Sequence, residues 1–284
     1  MSFMTWNEIC AATGGRLLSG KMRGTDAFAG ITTDTRKVQA GDLFVALRGE
    51  NFDGTAFAAE ALERGAAAAG VMLTEPVSDG HRRALEKSAG AVIGVPDTLT
   101  AYQQIAHAWR MKFDIPVVAV TGSNGKTTTK ELTAAALSGR GAVCRTAANY
   151  KNEIGLPLTL LGMTGEDTAT VVEMGMRGRG QIAALAAIAA PTVGIVTNVG
   201  ETHMELLGSI ENIARAKAEL VEAIAPGGTV ILNADDARVA AMRAQAADGV
   251  RILTYGIRAK ADIRAQALRS ACNETRFMVT YGGE

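Results

Sequence analysis

Hydrophobic and polar positions along the second half of the chain alternate between two patterns. Short, nearly continuous apolar runs occupy 115–120, 169–173, 193–197, 229–232 and 251–255. Runs of this kind read as strands covered on both faces, as in parallel sheets. Between them lie amphipathic stretches near 130–138, 180–189, 209–224 and 236–246, which read as helices. The alternation predicts an α/β fold with a doubly wound parallel sheet. Two further β-like runs, 262–270 and 275–281, follow Gly256 and are joined by Cys272, Asn273 and Glu274.

The first part of the chain is patterned differently. Thr5 and Glu8 are spaced as a capping box opening a short helix that stops at Gly14 and Gly15. A turn at Gly41-Asp42 leads into a strand at 43–47. A helix around 57–64 and a small-residue strand at 66–73 complete a β-α-β unit, and Val92 to Val95 adds a strand. Pro96 then marks a boundary, giving domains over 1–95 and 96–284. Asp97 or Thr98 caps the next helix, whose stripe of Tyr102, Ile105, Ala106 and Trp109 is expected to lead into the second domain.

Composition narrows the class. Hydrophobic residues are 48% and charged residues 20% of the 284, the balance of a folded globular chain. Lys+Arg and Asp+Glu are 29 each, so no overall field favours nucleic acid or anionic membrane. Cys10, Cys144 and Cys272 are scattered, without CxxC spacing, and read as reduced thiols. The N-terminus has neither a basic nor an apolar leader segment, and no apolar run approaches a membrane span. A soluble, cytoplasmic monomer is the expectation.

The densest chemistry lies at 117–129. An apolar strand runs into Thr121-Gly122-Ser123-Asn124-Gly125-Lys126-Thr127-Thr128, and a helix follows. Strand, glycine-punctuated loop, Lys-Thr and helix form a phosphate cradle, in which loop amides and the helix N-terminus face the anion. Lys126 would reach the terminal phosphates and the Thr127 hydroxyl would hold Mg²⁺. The first glycine of the usual spacing is replaced by Val120, so the motif is shortened. In doubly wound sheets ligands sit beyond the carboxyl ends of the strands. Glu173, Asn198 and His203 fall on that rim, and an acid such as Glu173 there is a natural Mg²⁺ ligand.

Lys217 interrupts the apolar stripe of its helix (Ile210, Ile213, Ala214, Leu220, Val221, Ile224), while Glu211, Arg215, Glu219 and Glu222 take the other face. By pattern alone it reads as a lysine snorkelling from the edge of the stripe. The other reading is a buried amine of lowered pKa, reactive toward CO₂. Asp34 and Arg36 either hold a polar ligand or form an ion pair in a surface turn.

Taken together, these segments resemble the Mur ligases of peptidoglycan synthesis, over essentially the whole chain. Thr33-Asp34-Thr35-Arg36 through Gly49 is similar to the family's uridine-nucleotide domain, and 120–128 to its ATP loop, which also lacks the first glycine. Asn149-Tyr-Lys-Asn152-Glu-Ile-Gly155-Leu-Pro157 resembles the branch that adds D-alanyl-D-alanine. Asn198 through His203 and Ala214 through Leu220 complete the set.

The resemblance implies a small N-terminal α/β uridine-nucleotide domain and a P-loop ATPase domain. It implies ATP and two Mg²⁺ ions as cofactors, with Gly122, Ser123, Asn124, Gly125, Lys126, Thr127 and Thr128 binding ATP. Thr127 and Glu173 would hold one ion; His203 and a carbamylated Lys217 would hold the second. Asn152 would lie near the reacting carboxylate, Asn149 would be a further substrate-binding residue, and Thr33, Asp34 and Arg36 would lie near the UDP group. The implied substrates are UDP-N-acetylmuramoyl-tripeptide and D-alanyl-D-alanine, joined through an acyl phosphate. Two positions depart from the family: Lys151 replaces an asparagine, and Thr55 a histidine. Family members carry a further C-terminal domain, so this chain alone is expected to be a catalytically inactive fragment. The alternatives are a diamino-acid-adding ligase of the same family and a non-catalytic nucleotide-binding module.

Overall fold

The computed structural model describes residues 3–49, 52–64, 70–78, 80, 85, 90–147, 149–202, 204–272 and 274–282. The chain divides into two compact units, Met1–Lys112 and Phe113–Glu284. The division falls beyond the boundary read at 95/96. Helix 98–110, expected to open the second domain, belongs to the first unit, and its own contacts give the reason.

In the first unit, β1 (Arg16–Ser19), β2 (Gly30–Thr32), β3 (Asp42–Val45), β6 (Gly70–Thr74) and β7 (Ala91–Val95) form a sheet of order β1-β7-β6-β3-β2. It is parallel except for β1, which runs antiparallel to β7. Strands β4 (Arg48–Gly49) and β5 (Phe52–Asp53) make a separate antiparallel pair. Helix α1 (Trp6–Thr13) carries the expected capping box, with both bonds of Thr5 and Glu8 formed, and ends on Gly14 in the left-handed conformation. Helix α2 (Ala58–Arg64) buries Ala58, Ala61 and Leu62 in a cluster with Phe44, Val71, Leu73 and Val92.

Helix α3 (Thr98–Arg110) is capped by Asp97, whose side chain accepts the Thr100 amide. Its stripe of Tyr102, Ile105, Ala106 and Trp109 is buried, and the Trp109 ring lies 4.8 Å from Phe3. The Thr98 hydroxyl donates to the Ala46 carbonyl at 2.9 Å. Apolar burial of that size fixes α3 to the first unit.

The second unit holds β8 (Val117–Thr121), β9 (Ala142–Arg145), β10 (Asp167–Glu173), β11 (Val193–Val196), β12 (Thr229–Asn233), β13 (Arg251–Gly256), β14 (Ile263–Ser270) and β15 (Thr275–Tyr281). Their order is β15-β14-β13-β12-β11-β8-β10-β9, parallel from β9 through β14, with β15 antiparallel at the edge. All five residues of β8 are buried. Successive side chains of a strand point to opposite faces, so both faces of β8 are covered. One face packs Val118 and Val120 with Val171, Ile195 and Ala134 of helix α4 (Lys126–Leu137). The remaining helices are α5 (Gly155–Leu161), α6 (Gln181–Ala189), α7 (Met204–Leu207), α8 (Ile210–Glu222) and α9 (Ala237–Ala241). The helix expected at 236–246 is split: α9 passes into a 3₁₀ turn at Met242–Gln245. Among the described residues, no helix is long and apolar enough to cross a membrane.

Candidate functional site

Strand order positions the site. Strands β10 and β11 flank β8, with Glu173 opposite Val120 and Val196 opposite Thr121. The carboxyl ends of three parallel strands therefore surround the loop leaving β8, where the chain switches sides. Val120 is a buried strand residue paired on both sides, so the strand runs through the position of the longer motif's first glycine and the loop opens only at Gly122.

Two glycines shape that loop. Gly122 has φ +149°, and a Cβ there would overlap the Thr197 hydroxyl. Gly125 has φ +78° and caps α4 from the left-handed region. The loop is laced to the segment after β11. The Ser123 amide donates to the Asn198 carbonyl at 2.9 Å, and the Asn124 amide to Asn198 Oδ1 at 2.8 Å. Asn198 Nδ2 and Thr197 Oγ1 both donate back to the Asn124 carbonyl, at 3.0 and 2.7 Å. The Gly200 amide reaches Ser123 Oγ at 2.8 Å. The loop thus holds its shape through backbone and rim contacts, leaving the first amides of α4 without intrahelical partners.

Lys126, at the first position of α4, turns its ammonium into the loop and donates to the carbonyls of Gly122 (2.8 Å) and Ser123 (2.9 Å). Burial holds its pKa below the usual lysine value; Glu173 opposes that shift and Lys151 adds to it. The Thr127 hydroxyl donates to Glu173 Oε2 at 2.8 Å. Glu173 is 1% exposed, and its Oε1 has no hydrogen-bond partner. Among the described residues the nearest cation is Lys151 Nζ at 3.5 Å, close enough for an ion pair but not hydrogen-bonded.

The Glu173 backbone is fixed from behind. Its amide donates to Thr146 Oγ1 at 3.0 Å, and the Thr146 carbonyl accepts the ammonium of buried Lys130 at 2.6 Å. Lys130 also pairs with Glu131 at 2.9 Å.

Lys217 does not snorkel. It is 2% exposed, and no hydrogen bond or ion pair of its ammonium is found among the described residues. Desolvation, with a smaller push from Lys126, brings its pKa down to about 7. The spacing that placed it inside the stripe was thus a better guide than the length of its side chain. His203 lies outside the described residues. Asn152 is exposed and uses its Oδ1 to accept the Gly155 amide at 2.9 Å, opening α5. Asn149 and Thr128 are exposed on the same unit.

In the first unit, Arg36 pairs with Asp34 through Nε (2.9 Å) and Nη2 (2.8 Å), and Asp34 also accepts the Arg36 amide. The pair holds the Asp34 carboxyl down at about 2. Thr33 is half-buried beside it. This is the surface ion pair foreseen as one alternative, and it leaves the rest of the Arg36 guanidinium exposed. Asp53 caps the turn at Thr55 and pairs with Arg48 at 2.9 Å.

The site suits a hard cation only in part. Among the described residues, no group of three or more His, Cys, Asp and Glu could form an all-protein cage. A hydroxyl beside a buried carboxylate with a free oxygen does fit Mg²⁺, which takes few protein ligands and completes its shell with water and phosphate.

Residues 120–284 match the Mur ligase middle domain, and residues 27–110 match the Mur ligase family, catalytic domain. The chain belongs to the Mur ligase family. A UDP-N-acetylmuramoyl-tripeptide–D-alanyl-D-alanine ligase of Synechocystis sp. is 51% identical over 227 residues, covering 80% of this chain and 48% of the relative. Among solved structures, MurF from Acinetobacter baumannii superposes with a TM-score of 0.86 at 28% identity, over 99% of this chain and 59% of that one. MurF ligase from Thermotoga maritima, in complex with ADP, gives 0.77 at 28% identity, over 89% and 56%. This Mur ligase chain spans about half the length of the curated relatives it matches.

Sequence reasoning missed three contacts in this Mur ligase. Lys151, noted only as a departure, reaches Glu173. Lys130, one turn after Lys126, anchors Thr146; its i+4 spacing from Lys126 was the available signal. Glu219, assigned to the outer face of α8, accepts the amides of Gly180 (2.6 Å) and Ala183 (3.1 Å) at the start of α6.

Proposed function

We propose that the whole protein is an ATP-dependent amide ligase joining D-alanyl-D-alanine to UDP-N-acetylmuramoyl-tripeptide. The observation that carries this reading is the Thr127–Glu173 contact beside the Lys126 loop, in a chain whose relatives bear that ligase name. In this mechanism the tripeptide carboxylate attacks the γ-phosphoryl group of ATP, giving an acyl phosphate and ADP. The amine of D-alanyl-D-alanine then displaces phosphate and forms the amide. The loop amides from Gly122 to Thr128 and the N-terminus of α4 orient the phosphates, and Lys126 meets the charge developing on the transferred group. Mg²⁺, when bound, neutralises phosphate charge. Thr127 and Glu173 are the residues that would hold it, and His203 with carbamylated Lys217 would hold a second ion. A carbamate turns the buried Lys217 cation into an anion, and the lowered pKa supplies the neutral amine that step needs.

In this reading Asn152 lies beside the reacting carboxylate, Asn149 contacts the same substrate, and Thr33, Asp34 and Arg36 lie beside the uridine diphosphate. In this reading the protein works in the cytoplasm, where ATP is supplied, and acts as a monomer. The test is ADP release by the full-length protein given UDP-N-acetylmuramoyl-tripeptide. Turnover should require D-alanyl-D-alanine; turnover supported equally by diaminopimelate or lysine with the UDP-dipeptide would overturn the reading.

A further inference from the structure

Three lysines, Lys126, Lys151 and Lys217, belong to one electrostatic neighbourhood in which Glu173 is the one buried carboxylate among the described residues. Two of them have clear duties in the reading above. Lys151 does not. Its backbone is fixed, since its carbonyl accepts the Gly175 amide at 2.9 Å and its own amide donates to the Asn149 carbonyl at 2.9 Å. Its stem lies over Gly175, where a Cβ would come within 3.1 Å of Lys151 Cγ. Its head is different. The side chain is 38% exposed, and the ammonium stands 3.5 Å from the Glu173 oxygen that has no hydrogen bond. A lysine anchored at its base and loosely paired at its tip can exchange one anion for another at little cost.

We propose that Lys151 is a second phosphate-binding cation, which leaves Glu173 for the terminal phosphoryl oxygens when a metal-bound nucleoside triphosphate enters. The proposal rests on the nucleotide reading of the loop. The geometry supplies the reason for a switch: the Glu173 oxygen facing Lys151 is also the free oxygen available to a divalent cation. Ammonium and cation compete for it. Once displaced, the ammonium needs an anion, and the γ-phosphate is the group that arrives with the metal. Lys126 is held four residues along the loop by two carbonyls, so the two ammoniums approach the phosphate from different elements, α4 and the segment after β9.

The experiment is calorimetric titration of the 284-residue chain with a non-hydrolysable ATP analogue and with ADP, each with Mg²⁺. Lys151→Met keeps the stem over Gly175 and removes the charge. It is expected to weaken the triphosphate analogue about tenfold, the loss of one charge-assisted hydrogen bond, while leaving ADP within about twofold. Lys151→Arg should restore most of the difference. In the Met variant Mg²⁺ alone should bind more tightly, because its competitor is gone. Equal weakening of both nucleotides, or no weakening of either, overturns the role of Lys151 while leaving the nucleotide reading standing. Failure of the unsubstituted chain to bind either nucleotide overturns both. Circular dichroism of the variants separates misfolding from lost contacts, and the arginine variant decides the case if the methionine variant unfolds.

Discussion

At the scale of single residues, Lys217 is the most exposed to test. Its pKa is about 7 in the folded protein against 10.5 for a free lysine. Below about pH 7 the amine is charged in both states, and the folded chain bears the full cost of burying a cation. Between pH 7 and 10.5 the unfolded chain binds a proton that the folded chain does not, so stability rises with pH across that window. Lys217→Met removes the titration. The variant should be more stable than the parent near pH 6, and its advantage should shrink by about 3 kcal/mol by pH 9. Urea unfolding at the two pH values, in buffer freed of CO₂, measures it. A pH-independent difference would mean the amine is paired or solvated. The neighbouring Lys126 has the opposite character: although partly buried, it already donates to two carbonyls, which ties it to the loop.

At the scale of elements, what the sequence displayed and what it hid have separate causes. Strand β8 and helix α4 were legible because a fully apolar run met a glycine turn and Lys-Thr within a dozen residues. Helix α4 starts at Lys126, four residues before the stretch read as its body, because a Gly125 cap leaves no polar N-cap side chain to read. Strand β9 was missed because it is short, sits at the sheet edge and alternates weakly between exposed and half-buried positions. Helix α5 was missed because its sequence carries a proline and is otherwise almost wholly apolar. Pro157 is nonetheless in the first turn, where its absent amide has no partner to lose. Lys126 and Thr127 could be found from the loop motif and Glu173 from the strand-end rule, since both depend only on residues adjacent in the chain and on chain order. Glu219 could not, because the amides it accepts belong to another helix. Gly180 opens α6 without a side-chain cap, and Glu219 supplies the missing acceptor. Glu219→Ala should therefore cost about 1 kcal/mol of stability, the typical cost of a lost cap. Glu222→Ala, on the exposed face of the same helix, should cost less than about 0.5 kcal/mol. Denaturant midpoints of the two variants compare them directly, and equal losses would assign Glu219 no capping role.

At the scale of the whole molecule, the two proposed nucleotide sites are confined to different units. Every residue assigned to ATP, from Gly122 through Thr128 with Glu173, lies in Phe113–Glu284, whereas Thr33, Asp34 and Arg36 lie in Met1–Lys112. Each unit has its own parallel sheet and its own buried cluster, so each can report ligand binding through its own local openings. Hydrogen exchange turns this into a prediction with two arms. Mg-ATP should slow exchange in peptides spanning 117–137 and 167–200, where the loop amides and the strand ends that support them reside. Uridine diphosphate should slow exchange around 30–38, where the exposed remainder of the Arg36 guanidinium can meet a diphosphate. The net charge of zero sharpens the expectation, because no overall positive field would gather either nucleotide non-specifically. Protection by Mg-ATP that is as strong at 30–38 as at 117–137 would place the triphosphate in the first unit, and the assignment of the phosphate loop would fall with it.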